Sequence, residues 1–347
     1  MNKIFIGIDF SKEKFDATVI TAEGVEEKRA RMHEVFSNDV KGFRRLARWC
    51  KACSGGTEPD EWLFCGEDTG GYSRLLSTWL YSHGYSIWLE NALRIKGCNA
   101  LKRLKDDRVD SAMIAEYAMR HADKASLWEP LGESLSQLRE LFLYRHRLVR
   151  LRCSLEVRSS EKTLTLEKSP AKKLMRHSSD RIIAQIKREI ALCESEIHKL
   201  VTSDEDIMRS YGIITSMPGI GMLNAVCLIV YTENFRRFGF NARKIATYYG
   251  VAPFGKYSGT SIHTGPHVSP FANKTIKALL SQAALAAIRF NPVIHAYYHA
   301  LIDRGKDKNL ARNNVKCKLI RIITAMVRQG MAFDKDYTMD RSAYMSA

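Results

Sequence analysis

No run of about 18 uninterrupted apolar residues occurs in this 347-residue chain, which argues against a membrane-spanning helix. The start, Met1-Asn2-Lys3-Ile4-Phe5, lacks the architecture of a signal peptide, so a cytoplasmic protein is expected. Cysteine is scattered. Of eight, only Cys50 and Cys53 form a close pair, and no second Cys or His pair stands at zinc-site spacing to complete four ligands. Free thiols in a reducing compartment are therefore expected, not a disulfide or zinc scaffold. Acid is the remaining shortage. Against 54 Lys and Arg stand only 38 Asp and Glu, a formal charge of +16. Such a field draws a protein onto polyanions and makes binding salt-dependent, so nucleic acid is the natural partner.

With 45% hydrophobic residues the chain has enough apolar material for two compact domains, or three if one is a simple helical module. Residues Ile4 to Asp9 are apolar and β-branched, Ala17 to Ile20 follow, and Gly24 marks a turn before a third short strand. A helical period from about Asn38 to Cys50 precedes a buried strand at Trp62 to Cys65. A helix over Tyr72 to His83, a strand at Tyr85 to Leu89 and a helix beginning near Asp107 come next. A three-strand meander followed by alternating helices and strands predicts an α/β RNase H-like N-terminal domain over residues 1–128.

From 129 to 204 the pattern is helical only. Leu141, Tyr144, Leu148, Leu151 and Leu155 form one stripe, and Ile183, Ile186, Ile190, Cys193, Ile197 and Leu200 another, both with three- and four-residue spacing. Ser169-Pro170 predicts a break between them, giving a helical coiled-coil hairpin. Basic residues such as Arg147, Arg150, Lys172 and Lys187 crowd its other faces, which suits a nucleic-acid or subunit contact. Residues 205–347 predict a mainly α C-terminal domain interrupted by a polar loop from Gly250 to Pro270, where function is expected to sit. Within it, Met217-Pro218-Gly219-Ile220-Gly221 reads as a helix-hairpin-helix turn able to hold a phosphate, or as an ordinary tight turn between packed helices.

Four carboxylates carry the strongest chemical signal. Asp9 closes one apolar strand and Glu67 another, and strand ends form the site edge of an α/β sheet. Asp107 and Asp110 stand three apart at a helix start, which places both on one helix face. Hard divalent ions such as magnesium (or manganese) take several oxygen ligands, and such an ion assists phosphoryl transfer. Taken singly, each acid also has a bland reading, as a turn residue or as a first-turn complement to the helix dipole.

These residues lie in segments that resemble a known family. Gly7-Ile8-Asp9, Glu67-Asp68-Thr69-Gly70-Gly71-Tyr72 and Lys105-Asp106-Asp107-Arg108-Val109-Asp110 look like the DEDD motifs of insertion-sequence transposases related to the Piv DNA invertases. Ser216-Met217-Pro218-Gly219-Ile220-Gly221, Tyr248-Tyr249-Gly250-Val251-Ala252-Pro253 and Tyr257-Ser258-Gly259-Thr260-Ser261 resemble successive motifs of that family's C-terminal transposase domain. Asp68 and Asp106 are extra acids beside the matched ones, and Asn91-Ala92 replaces an expected Asn-Pro.

The resemblance implies a metal-dependent DNA transposase or recombinase in which Ser258, with Ser261 as the fallback, forms a covalent link to DNA. It further implies target and donor DNA as substrates, guidance by a structured bridge RNA, nucleoid association, and a homo-dimer or homo-tetramer in which one protomer's carboxylates work with another's serine. Three other readings remain: a water-using Holliday-junction resolvase or nuclease, an actin-like ATPase or sugar kinase, and a non-catalytic nucleic-acid-binding protein. The ATPase reading is weakened because Phe10-Ser11-Lys12-Glu13 lacks the glycine of a phosphate-cradling turn.

Overall fold

The computed structural model describes residues 4–21, 31–97, 107–160, 169–258, 262–268 and 274–336. The chain divides into two units, Met1–Pro130 and Leu131–Ala347.

In the first unit, β1 (Ile4–Phe10), β2 (Lys14–Thr21) and β3 (Met32–Ser37) form an antiparallel meander, and β4 (Trp62–Glu67) and β5 (Ser86–Glu90) join parallel to β1. The order across the sheet is β3-β2-β1-β4-β5. Helices α1 (Val40–Cys53), α2 (Gly71–Ser82), α3 (Ala92–Gly97) and α4 (Asp107–Arg120) accompany it. Alternation along the strands separates two cores. Ile4, Ile6, Ile8, Trp62 and Phe64 pack with Phe43 and Leu46 of α1 and Leu76 and Leu80 of α2. Phe5, Leu63, Cys65 and Trp88 point the other way and pack with Ile114, Tyr117 and Ala118 of α4. A sheet buried on both faces explains the near-continuous apolar runs of β1 and β4.

The second unit begins with α5 (Glu133–Ser160) and α6 (Pro170–Ser203). Ser169 caps α6, its hydroxyl accepting from Lys172 N at 3.2 Å with Pro170 at the first helical position, so the Ser-Pro pair marks the boundary between the two helices by starting the second. On α6 the expected stripe is the packed one, with Ile183, Ile190, Cys193 and Ile197 buried. On α5 it is rotated. Leu148 is buried as expected, but Tyr144 and Leu151 are exposed, and Leu138 and Phe142 are buried beside it. Arg145 stands on that packed side, its guanidinium 2.6 Å from Glu194 of α6. An ion pair therefore occupies a place that an all-apolar seam would fill with a hydrophobe.

Helices α7 (Glu205–Thr215), α8 (Met222–Thr232), α9 (Ala242–Tyr248), α10 (Lys274–Phe290), α11 (Pro292–Asp303) and α12 (Lys308–Gln329) complete the unit. Their core takes in the lower half of the helical pair: Leu138, Phe142, Ile197 and Val201 share it with Ile229, Leu280 and Leu319. The segment expected to be a polar loop contains a two-stranded antiparallel hairpin, β6 (Pro253–Ser258) and β7 (Ile262–Val268). A register shift between Phe254 and Lys256 sets Gly255 opposite Gly265 and Pro266. Proline is tolerated in a strand at such a bulge, and these residues hide the strand pattern from a sequence reading.

Fully buried Asn291 caps α11, its Oδ1 accepting from Val293 N at 3.0 Å and Ile294 N at 3.2 Å. Asn291→Ala is expected to cost about 1–2 kcal/mol, read as a Tm lower by several degrees in calorimetry. An unchanged Tm would show that the cap contributes nothing.

Candidate active site

The register of β1 with β4 runs from Ile4 opposite Trp62 to Ile8 opposite Gly66. Asp9 and Glu67 are the next residues on each strand. By the two-residue alternation of strands they continue the row of Phe5, Gly7, Leu63 and Cys65, the face covered by α4. Both are half-buried.

Gly7 allows α4 to lie close. A Cβ there would sit 2.1 Å from the Ser111 carbonyl oxygen and 2.3 Å from Ala115 N. Ser111 Oγ also meets Thr18 Oγ1 of β2 at 2.8 Å. With Ser111 and Ala115 over Gly7, and Ile114, Tyr117 and Ala118 packed around Phe5 and Trp88, the helix runs back along the sheet. Its first turn, with Asp107 and half-buried Asp110, is directed toward the strand ends. The Asp107 side chain lies outside the described residues.

Two further acids share the row and were missed in the sequence. Asp9 pairs with Asp16 on β2, and Glu67 pairs with Glu90 on β5, so Asp16, Asp9, Glu67 and Glu90 stand side by side across four strands. Glu90 closes its strand just as Glu67 does, which was a usable signal, whereas Asp16 shows only once the hairpin register is known. The outer two are buried and compensated. Asp16 accepts from His33 Nε2 at 2.9 Å and lies 3.5 Å from Lys14 Nζ. Glu90 accepts from Asn91 N at 2.7 Å and from the Tyr117 hydroxyl and Arg94 at 3.3 Å each. Neighbouring strands lie about 4.8 Å apart, so carboxylates at adjacent strand ends are near enough to share one cation. Oxygen donors alone also suit a hard divalent ion. Among the described residues, no three His, Cys, Asp or Glu side chains are grouped closely enough to hold a metal.

The extra acids flanking the matched ones differ in standing. Exposed Asp68 is engaged in its own turn, its Oδ1 accepting from Gly70 N at 3.1 Å. Asp106 lies outside the described residues. Beside the first turn of α4, a cavity of about 250 Å³ opens between Thr18 and His33 of the sheet and Arg108 and Ala112 of the helix.

Ser258 belongs to the second unit. It ends β6, paired in register with Ile262, and its side chain, like the whole of Ser261, lies outside the described residues. The turn at Met217 to Gly221 is closed on one side. Gly219 has a φ of +94°, and a Cβ there would lie 2.5 Å from the backbone nitrogen of Ala287 in α10. Close helix packing therefore accounts for that glycine. Among the described residues, no helix is long and apolar enough to cross a membrane.

Comparison with known proteins places these features in one family. A transposase model of the IS110 DEDD type matches residues 6–166, and the model described as "Transposase IS116/IS110/IS902 family" matches residues 211–299. The pilin gene-inverting proteins of Moraxella lacunata and Moraxella bovis are 27% and 26% identical over 339 residues, spanning 96% of this chain and 99% of each relative. An uncharacterized 43.6 kDa protein of insertion element IS110 from Streptomyces coelicolor is 34% identical over 122 residues, 35% of this chain and 30% of that protein. With two models of one family matched in order on the carboxylate-bearing unit and the serine-bearing unit, the chain belongs to the IS110 transposase family and is a DNA transposase or recombinase by class.

Proposed function

We propose that this chain is a metal-dependent DNA recombinase in which Asp9, Glu67, Asp107 and Asp110 of an RNase H-like (RuvC-like) domain position a phosphodiester for attack by Ser258. The observation that carries this reading is the placement of Asp9 and Glu67 on neighbouring parallel strand ends, on the face where α4 brings its first turn. The four carboxylates would hold magnesium or manganese. Such an ion, when bound, polarises a phosphoryl oxygen and offsets the charge that develops on it.

Ser258 Oγ attacks phosphorus, forming a serine–phosphate ester and releasing one strand with a free hydroxyl. An incoming strand's hydroxyl then attacks that ester, restoring a phosphodiester and the serine. The number of phosphodiester bonds is conserved, so no high-energy cofactor is consumed. A serine hydroxyl is a weak nucleophile until its surroundings activate it, and a carboxylate site supplied by another protomer of a dimer or tetramer meets that need. The net charge of +16 supports contact with target and donor DNA and with a guide RNA of the bridge type.

The test mixes protein, magnesium, co-purified RNA and labelled DNA, denatures the mixture, and maps any protein–DNA adduct by peptide sequencing. An adduct on Ser258 that disappears with a chelator and returns with magnesium is expected. Cleaved DNA with no adduct would mean that water attacks, and the serine assignment would be wrong.

A further inference from the structure

The second unit gathers cations at the root of the hairpin that ends in Ser258. The carbonyl oxygen of Val251, two residues before β6, accepts from Asn313 Nδ2 at 2.9 Å and from Cys317 Sγ at 3.0 Å. Both donors stand on α12, so the chain entering β6 is tied to that helix. Arg312 and Lys316, each one residue before a donor, are themselves neighbours four apart on the same helix. α10 packs on α12 through Ile276, Leu280, Val315 and Leu319, and this brings Lys277 to Lys316.

Lys277 and Lys316 are half-buried and Arg312 is exposed. Among the described residues none of the three has a carboxylate within ion-pair distance, although ion pairs occur elsewhere on the unit, as between Arg236 and Asp206 at 2.7 Å. Burial, then Lys277, and more weakly Arg312, hold the Lys316 ammonium below the usual lysine pKa. The positive field extends toward α5. Thr275, two residues before Lys277, meets His146 Nε2 at 3.2 Å, and burial followed by Arg150 and Arg145 lowers that imidazole's pKa. Uncompensated like charges cost stability in the free protein, and an arriving polyanion relieves that cost.

We propose that Lys277, Arg312 and Lys316 form a backbone-phosphate cradle that seats the DNA strand presented to Ser258. The inference rests on the reading of Ser258 as nucleophile, because that reading makes the hairpin root a place where DNA must pass. The cradle's chemistry is that of a positioning contact. Two lysine point charges and one guanidinium fork suit phosphate oxygens and carry no base information. DNA is favoured over the guide RNA because the cluster is tied, through Val251, to the strand that carries the nucleophile.

The experiment uses the full chain, a labelled DNA duplex and an RNA duplex of equivalent sequence, with affinities measured by fluorescence anisotropy across a salt series. For the Lys277→Gln, Arg312→Gln, Lys316→Gln triple variant, DNA affinity is expected to fall about tenfold or more, and the slope of log affinity against log salt by roughly two to three. Adduct formation at Ser258 should fall in parallel. If the triple variant melts early, Lys277→Gln alone is expected to reduce the slope by about one. Lys316→Arg should restore DNA affinity, because charge and not packing is at work, and Lys199→Gln on α6 should change nothing. An unchanged salt slope, a loss confined to the RNA duplex, or a loss shared by Lys316→Arg would each overturn the cradle. Ser258→Ala protein should bind DNA with wild-type slope. If it still forms the adduct, the nucleophile reading fails, and the triple variant's salt slope decides the cradle independently.

Discussion

Asp9→Asn is expected to reduce DNA strand exchange by about a thousandfold or more while leaving the fold and DNA affinity intact. The change keeps the shape of the side chain but removes its charge and replaces one oxygen donor by nitrogen, which a hard cation does not accept. Asp9 stands between Asp16 and Glu67 in a row of acids, and the isosteric amide keeps its place on the strand, so the Tm should shift by no more than a few degrees. Strand-exchange rates at saturating magnesium, together with thermal melting, separate the two effects. Glu90→Gln is the informative contrast. Its carboxylate is occupied by Asn91 N, Tyr117 and Arg94, so its loss should lower stability by about 1–2 kcal/mol and activity less than tenfold. Activity of the Asp9→Asn protein within tenfold of wild type would remove the carboxylates from the chemistry.

The second large effect falls on stability. Gly7→Val is expected to destabilise the first unit by about 3 kcal/mol or more, because its Cβ would meet backbone atoms of Ser111 and Ala115 at 2.1 and 2.3 Å, and neither is the end of a flexible side chain. To make room, α4 must lift from β1, breaking the Thr18–Ser111 contact and carrying Asp110 away from the strand ends. Activity should therefore fall with stability. The second unit has a core of its own, so denaturant unfolding followed by circular dichroism should become biphasic, with the helical unit retaining its midpoint. Gly55→Ala, where a Cβ would meet nothing within 4 Å, should cost only about 1 kcal/mol for its positive φ. A single transition at the wild-type midpoint for Gly7→Val would contradict the close approach of α4.

Much of this was legible in the sequence because it is local. The apolar run before Asp9, the run before Glu67 and the helix start at Asp107 and Asp110 are patterns of neighbouring residues, and the sheet and α4 form where those patterns stand. The α6 stripe was legible for the same reason, since periodicity reports which face a helix buries. What escaped depends on partners far along the chain. Asp16 and Glu90 join the acid row only through the order β2-β1-β4-β5 and its register. The α5 seam includes Leu138 and Phe142 because both pack into the core built by the following helices, and Arg145 on that side meets Glu194 of the facing helix. The hairpin ending in Ser258 was read as a loop because Gly255, Gly265 and Pro266 obscure the strand pattern and pair only across the bulge. Lys277 and Lys316 meet because two helices pack their apolar faces together. Composition and short-range pattern thus determined the elements and the chemical types at their ends. Only tertiary packing decided which charges share a surface, because strand order, register and helix contact join residues that no local pattern relates.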